Sequence, residues 1–150
     1  MAASFPKTQE FLQKYLANLE ILYQKLRSFH WNVEGRSFFT LHAQLEKLYD
    51  STAELIDEVA ERLLMIGTRP LSTYKDYLEH ATLQEAPAQA YPGPQVAQTL
   101  LADYSQLIES ARQGISISEQ EGDTGTMDML TQSLRAFEKL SWMLSAYLKG

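Results

Sequence analysis

The chain has 150 residues, 45% of them hydrophobic and 21% charged, the balance of one globular domain over residues 1–150 rather than of a disordered or collagen-like chain. Thirteen Lys and Arg against nineteen Asp and Glu give a formal charge of −6, which disfavours general attraction to nucleic acid or anionic lipid and suits cationic partners. With no cysteine, disulfides, thiolate metal sites, iron–sulfur clusters and cysteine nucleophiles are excluded, so any metal must be held by His, Asp or Glu.

From Phe11 the apolar residues Phe11, Tyr15, Leu19, Leu22, Leu26, Phe29 and Val33 recur in steps of four and three, which predicts a helix with one buried face, ended by Gly35. The next segment runs from about Ser37 to Ile66 without internal Gly or Pro and stops at Gly67 with Pro70 beyond, a helix of about 45 Å. It contains the longest aliphatic run, Leu63–Ile66, far short of the roughly 20 residues of a membrane span. The opening MAASFPKTQEF lacks the basic-then-apolar order of a signal peptide, so a soluble cytoplasmic protein is expected.

Ser72 reads as the N-cap of a short helix over Thr73–His80. The loop-like EAPAQAYPGP then leads into a third long helix that starts around Pro94 and reaches about Glu121, with Pro in its first turn. Gly122 stops it, and Leu130, Leu134, Phe137, Leu140, Leu144 and Tyr147 mark a fourth. Four long amphipathic helices with the long excursion between the second and third predict an all-α, ferritin-like four-helix bundle with a short extra helix in the crossover. That architecture can be purely structural, so it decides no function alone.

His30 and His42 lie in the one region where imidazole and carboxylate cluster, FHWNVEGRSFFTLHAQLEKLYDSTAELIDEVAER. On the second helix His42 and Glu46 are four apart, as are Asp57 and Glu61. At 100° per residue the four fall at roughly 0°, 40°, 60° and 100°, one broad stripe. Glu46 and Asp57 nevertheless stand about 16 Å apart along the axis, whereas metal–ligand bonds are near 2 Å, so one copy of this helix cannot close one site. If two copies met antiparallel across a two-fold axis, residue i would face residue 103 − i. That register pairs 42 with 61 and 46 with 57, building two equivalent sites per dimer.

His30, near the end of the first helix, could complete a set of two His and three carboxylates, which suits Fe, Mn or Zn, with redox turnover of iron the sharper reading. A solvated acidic face and a capping histidine would produce the same spacings. No ExxH, HExxH, GxSxG, Walker loop or GxGxxG is present, which sets aside the di-iron site of a single ferritin-like subunit and the commoner hydrolase and nucleotide motifs.

The run His30, Trp31, Val33, Gly35, Phe38, Phe39, Leu41, His42, then Asp57, Ala60, Glu61 and Arg62 resembles the signature of the Dps family of miniferritins. The stretch IDEVAERLLMIGTRPLSTYKDYLEHATLQEAP and the ending EGDTGTMDML with SWMLSAYL extend the likeness over nearly the whole chain. The resemblance implies ferroxidase ligands at His30, His42, Glu46, Asp57 and Glu61, with Glu46 standing where the family usually has Asp. It implies Fe(II) oxidised with hydrogen peroxide in preference to dioxygen, a homododecamer storing ferric mineral, iron with no organic cofactor, and no membrane role. Trp31 could intercept stray oxidising equivalents or serve as a core or interface aromatic. Glu119, Asp123 and Asp128 would line the pore that admits iron, though Asp123 and Asp128 also sit where acids cap helices. DNA compaction, the alternative suggested by the family name, is disfavoured by the acidic chain and the lack of a Lys-rich tail.

Overall fold

The computed structural model describes residues 4–150. The first helix, α1, spans Pro6–Asn32, and α2 spans Phe38–Met65. The crossover carries α3, Tyr74–His80, before α4, Gly93–Glu121, and α5, Thr124–Leu148. This is the expected four-helix bundle with a short extra helix in the crossover. Among the described residues no helix is long and apolar enough to cross a membrane.

Helix α1 is the centre of the core. Tyr15, Leu19, Leu22, Leu26, Phe29 and Val33 are buried, and Leu12 and Leu16 widen the stripe, while Phe11 at its upper edge is half-buried. Against it pack Leu41, Leu45, Leu48, Val59 and Leu63 of α2 and Val96, Leu100, Tyr104 and Leu107 of α4. Gly114 of α4 has a packing reason: a methyl there would run into the Phe11 ring and Leu130. Close approach of the neighbouring helices thus offsets the roughly 1 kcal/mol that Gly costs relative to Ala. One charged pair crosses this core, Lys25 Nζ on α1 to Asp103 Oδ2 on α4 at 2.7 Å, with both side chains at most 8% exposed.

Four boundaries differ from the sequence reading. Helix α1 begins at Pro6 rather than near Phe11, with Pro in its first turn, and its orphan N–H groups at Lys7 and Thr8 donate to the Glu121 carboxylate at 3.0 and 2.8 Å. Val33 is not helical. It leaves α1 in an extended conformation and, with Glu34, forms a two-residue parallel bridge, β1, to Tyr91–Pro92, β2. Such a pairing is too short to imprint a period on the sequence. Helix α5 starts at Thr124, and α3 is capped by Thr73, whose hydroxyl accepts from Asp76 N at 3.1 Å, rather than by Ser72.

Polar residues of α1 strap the crossover down. Asn18 Oδ1 accepts from the N–H groups of Thr82 and Leu83 at 2.8 and 3.0 Å. Gln13 accepts from Leu71 N and donates to Arg69 O, and Gln9 donates to Ile66 O at 2.6 Å. Backbone groups of a connection without regular structure thereby find partners, which holds the long excursion against the bundle.

Candidate metal centre

The turn at residues 33–37 folds the end of α1 back onto the start of α2 and brings His30 against His42. His30 Nδ1 lies 2.6 Å from His42 O, and His42 Nδ1 lies 2.7 Å from His30 O. A carbonyl only accepts, so each Nδ1 carries the proton and donates, which leaves each Nε2 as the lone-pair nitrogen. The carbonyl of His30 belongs to the last turn of α1, where helical carbonyls lack intrahelical partners, so His42 also satisfies that helix end. The two rings stack with centroids 3.8 Å apart and planes 12° apart. His30 Nε2 stands 3.8 Å from Glu46 Oε1, across from a carboxylate side chain 57% exposed.

The backbone bonds that fix the tautomer are the arrangement that metal-binding histidines use to orient their free nitrogen. His30 and Glu46 thus form one partial donor pair at the start of α2, with the His42 ring stacked beside it. Imidazole nitrogen and carboxylate oxygen suit a borderline to hard divalent cation such as Fe(II).

Asp57 and Glu61 form a second set further along α2. Both are exposed. The Glu61 carboxyl is held above the usual carboxylate range by its hydrogen bond to Asp57, then by repulsion from that neighbour. A bound cation would relieve that repulsion. With His42 at zero, the buried Leu41, Leu45, Leu48, Thr52, Val59 and Leu63 fall at roughly 240–300°, while the four candidate donors of α2 occupy roughly 0–100°. The donor stripe therefore faces away from the protomer's own core. Among the described residues no three His, Asp or Glu side chains converge to hold a metal ion within one protomer.

Asp123 takes the capping role weighed for it. It is 2% exposed, and its carboxylate is fully engaged. Oδ1 accepts from Thr126 N at 3.1 Å and Arg62 Nη2 at 2.6 Å, and Oδ2 accepts from the Thr126 hydroxyl. It caps α5 and ties that helix to α2, so both carboxylate oxygens have partners within the protomer. Glu119 and Asp128 flank the same turn and are exposed. Trp31 is 57% exposed, which removes the core alternative, and the Arg27 guanidinium lies 5.1 Å from its ring.

Phe38 and Tyr49 frame the two imidazoles, and neither received a role from the sequence. The available signal was an aromatic residue one helical turn before His42.

The comparisons with known proteins agree with this architecture. A model of the ferritin-like domain matches residues 9–150. A DNA protection during starvation protein of Listeria monocytogenes is 41% identical over 145 residues, covering 94% of this chain and 91% of its own length. A crystal structure of a Dps protein from Bacillus brevis superposes with a TM-score of 0.93 at 34% identity, covering 99% of both chains. A Dps protein of Vibrio cholerae O1, described as a member of a broad superfamily of ferritin-like diiron-carboxylate proteins, gives a TM-score of 0.93 at 32% identity over 99% of this chain and 98% of that one.

Proposed function

The chain belongs to the Dps family of ferritin-like proteins, and on that premise we propose that it oxidises Fe(II), preferentially with hydrogen peroxide, at centres shared by two protomers. Iron storage and oxidative protection, with ferroxidase-type activity, go with the family and its diiron-carboxylate relatives. The peroxide preference, the shared centre, the twelve-subunit shell and the individual ligands are our reading.

The observation that carries it is the reciprocal Nδ1 bonding of His30 and His42, which leaves both Nε2 atoms without a backbone partner and sets that of His30 3.8 Å from Glu46. The second donor pair, Asp57 and Glu61, lies on the same outward stripe of α2. In an antiparallel dimer with the 103 − i register, His30, His42 and Glu46 of one protomer would meet Asp57 and Glu61 of the other. Fe(II) is the substrate, and the residues supply position and negative charge that favours the ferric product. Two ferrous ions each give one electron to one peroxide, its O–O bond breaks, and two protons complete two waters without release of hydroxyl radical. Ferric mineral would collect inside the shell, with Glu119 and Asp128 guiding incoming cations electrostatically. Trp31, next to His30 and solvent-accessible, is proposed as a sink for stray oxidising equivalents. No organic cofactor is needed, the proposed setting is the cytoplasm, and the acidic chain argues against direct DNA binding.

Anaerobic Fe(II) mixed with peroxide should be consumed at about two irons per peroxide, and the double variant His42→Ala, Asp57→Ala should lose this reaction. Wild-type kinetics in that variant would overturn the proposal.

A further inference from the structure

His42 has an aromatic neighbour on each side. One face meets His30. Phe38, one turn earlier on α2, stacks with His42 at a centroid distance of 4.9 Å and an interplanar angle of 20°. With the imidazoles themselves nearly parallel at 3.8 Å, Phe38, His42 and His30 form a single stack of three rings. Tyr49 closes its far end, edge-on to His30 at 5.3 Å and 83°. Phe38 is half-buried against the core and meets Phe39 edge-on at 5.5 Å.

Each imidazole is pinned to backbone through Nδ1 alone. One hydrogen bond fixes one atom of a ring and leaves the plane free to tilt about it, which would swing Nε2 out of line. A flat neighbour on the open face removes that freedom, because offset stacking favours parallel planes at this separation. Phe38 has no polar atom and cannot ligate, so its contribution is geometric. A donor set held in place before the metal arrives binds it with less ordering cost.

We propose that Phe38 is a positioning residue: an aromatic plate that fixes the plane of His42, and through it that of His30, so that each Nε2 keeps the direction its Nδ1 bond sets. The proposal rests on the reading of these histidines as iron donors. Its scale follows from what aromatic pairs contribute beyond area burial, so losing the plate should weaken binding of a divalent ion roughly 3- to 10-fold.

The test is anaerobic titration of the assembled protein with Co(II), followed through the visible absorption of the bound ion. Phe38→Leu keeps an apolar side chain against the core and removes the plate, and should bind Co(II) about 3- to 10-fold more weakly with unchanged stoichiometry and an altered band shape. Phe38→Tyr restores the ring and should lie within about twofold of wild type. In Fe(II) oxidation, Phe38→Leu should raise the apparent KM more than it lowers kcat. If Phe38→Leu does not assemble, Phe38→Met, which fills similar volume without a plane, is read in the same way. Wild-type affinity and spectrum in the ring-less variant would overturn the proposal, as would a loss in Phe38→Tyr equal to that in Phe38→Leu. His42→Ala separates the two levels. Loss of Co(II) there with none in Phe38→Leu removes the role of Phe38 alone, whereas wild-type binding in His42→Ala removes the donor reading beneath it.

Discussion

Replacing Asp123 distinguishes a capping acid from a pore acid. Asp123→Ala removes an N-cap whose loss costs roughly 0.5–2 kcal/mol. It also removes the carboxylate from the Arg62 guanidinium at 2.6 Å and from the Thr126 hydroxyl. Charge-assisted bonds are worth about 1.5–3 kcal/mol, and the 24% exposure of the Arg62 side chain places this one at the low end through solvent screening. The sum is about 2–3 kcal/mol, or a Tm lower by about 5–10 °C for a chain of this size. Asp123→Asn keeps a capping oxygen and loses only the charge, so it should fall less, by about 1 kcal/mol. The assay is thermal unfolding of the metal-free protein at one fixed protein concentration, since assembly makes Tm concentration-dependent. Fe(II) uptake is measured in parallel. The exposed Glu119 and Asp128 should behave the opposite way, with Glu119→Gln and Asp128→Asn slowing uptake at unchanged Tm. An Asp123→Ala protein that melts within about 1 °C of wild type yet takes up iron slowly would refute the capping assignment.

Two further predictions test other charges. Glu61→Gln should abolish iron oxidation while raising the Tm of the metal-free protein at neutral pH, because the Asp57 bond and repulsion hold the Glu61 carboxyl above its ordinary range. A raised folded-state pKa makes deprotonation oppose folding, so the advantage of Gln should fade as pH falls through that raised value; a gain that persists at low pH would contradict the cause given. In the core, Asp103→Ala should cost about 3–5 kcal/mol by leaving Lys25 buried and unpaired. Lys25→Met with Asp103→Leu should recover most of that loss in urea denaturation, and a double variant as unstable as the single would show that the ion pair is not the source.

Much of the fold was legible because burial imposes a period. The stripe from Tyr15 to Phe29 reads as a helix facing a core, and Gly122, in the left-handed conformation at φ 78°, reads as a stop. Val33 misled because it continues the three–four rhythm. Its extended shape is set by pairing with Tyr91, a partner nearly two helices away in sequence. On α5 the pattern included Leu134, Leu140, Leu144 and Tyr147, which are only half-buried in the protomer.

The candidate donors His42, Glu46, Asp57 and Glu61 share one stripe by helical spacing, but the orientation of the imidazoles was not legible. The crossed bonds between His30 and His42 depend on how the 33–37 turn folds α1 onto α2, and no one-dimensional spacing encodes that. Likewise, an acid three residues before Thr126 reads locally as a cap, whereas Arg62, 61 positions away, completes its role only in three dimensions.

Shared centres can be tested directly by mixing inactive subunits. His42→Ala and Asp57→Ala should each assemble without Fe(II)-oxidising activity. When the two are co-assembled in equal amounts, a mixed dimer carries both lesions in one centre and leaves the other intact, so activity should return to about one quarter of wild type. Co-assembled protein, shown by mass spectrometry to contain both chains, that stays as inactive as either parent would contradict a centre built from two protomers.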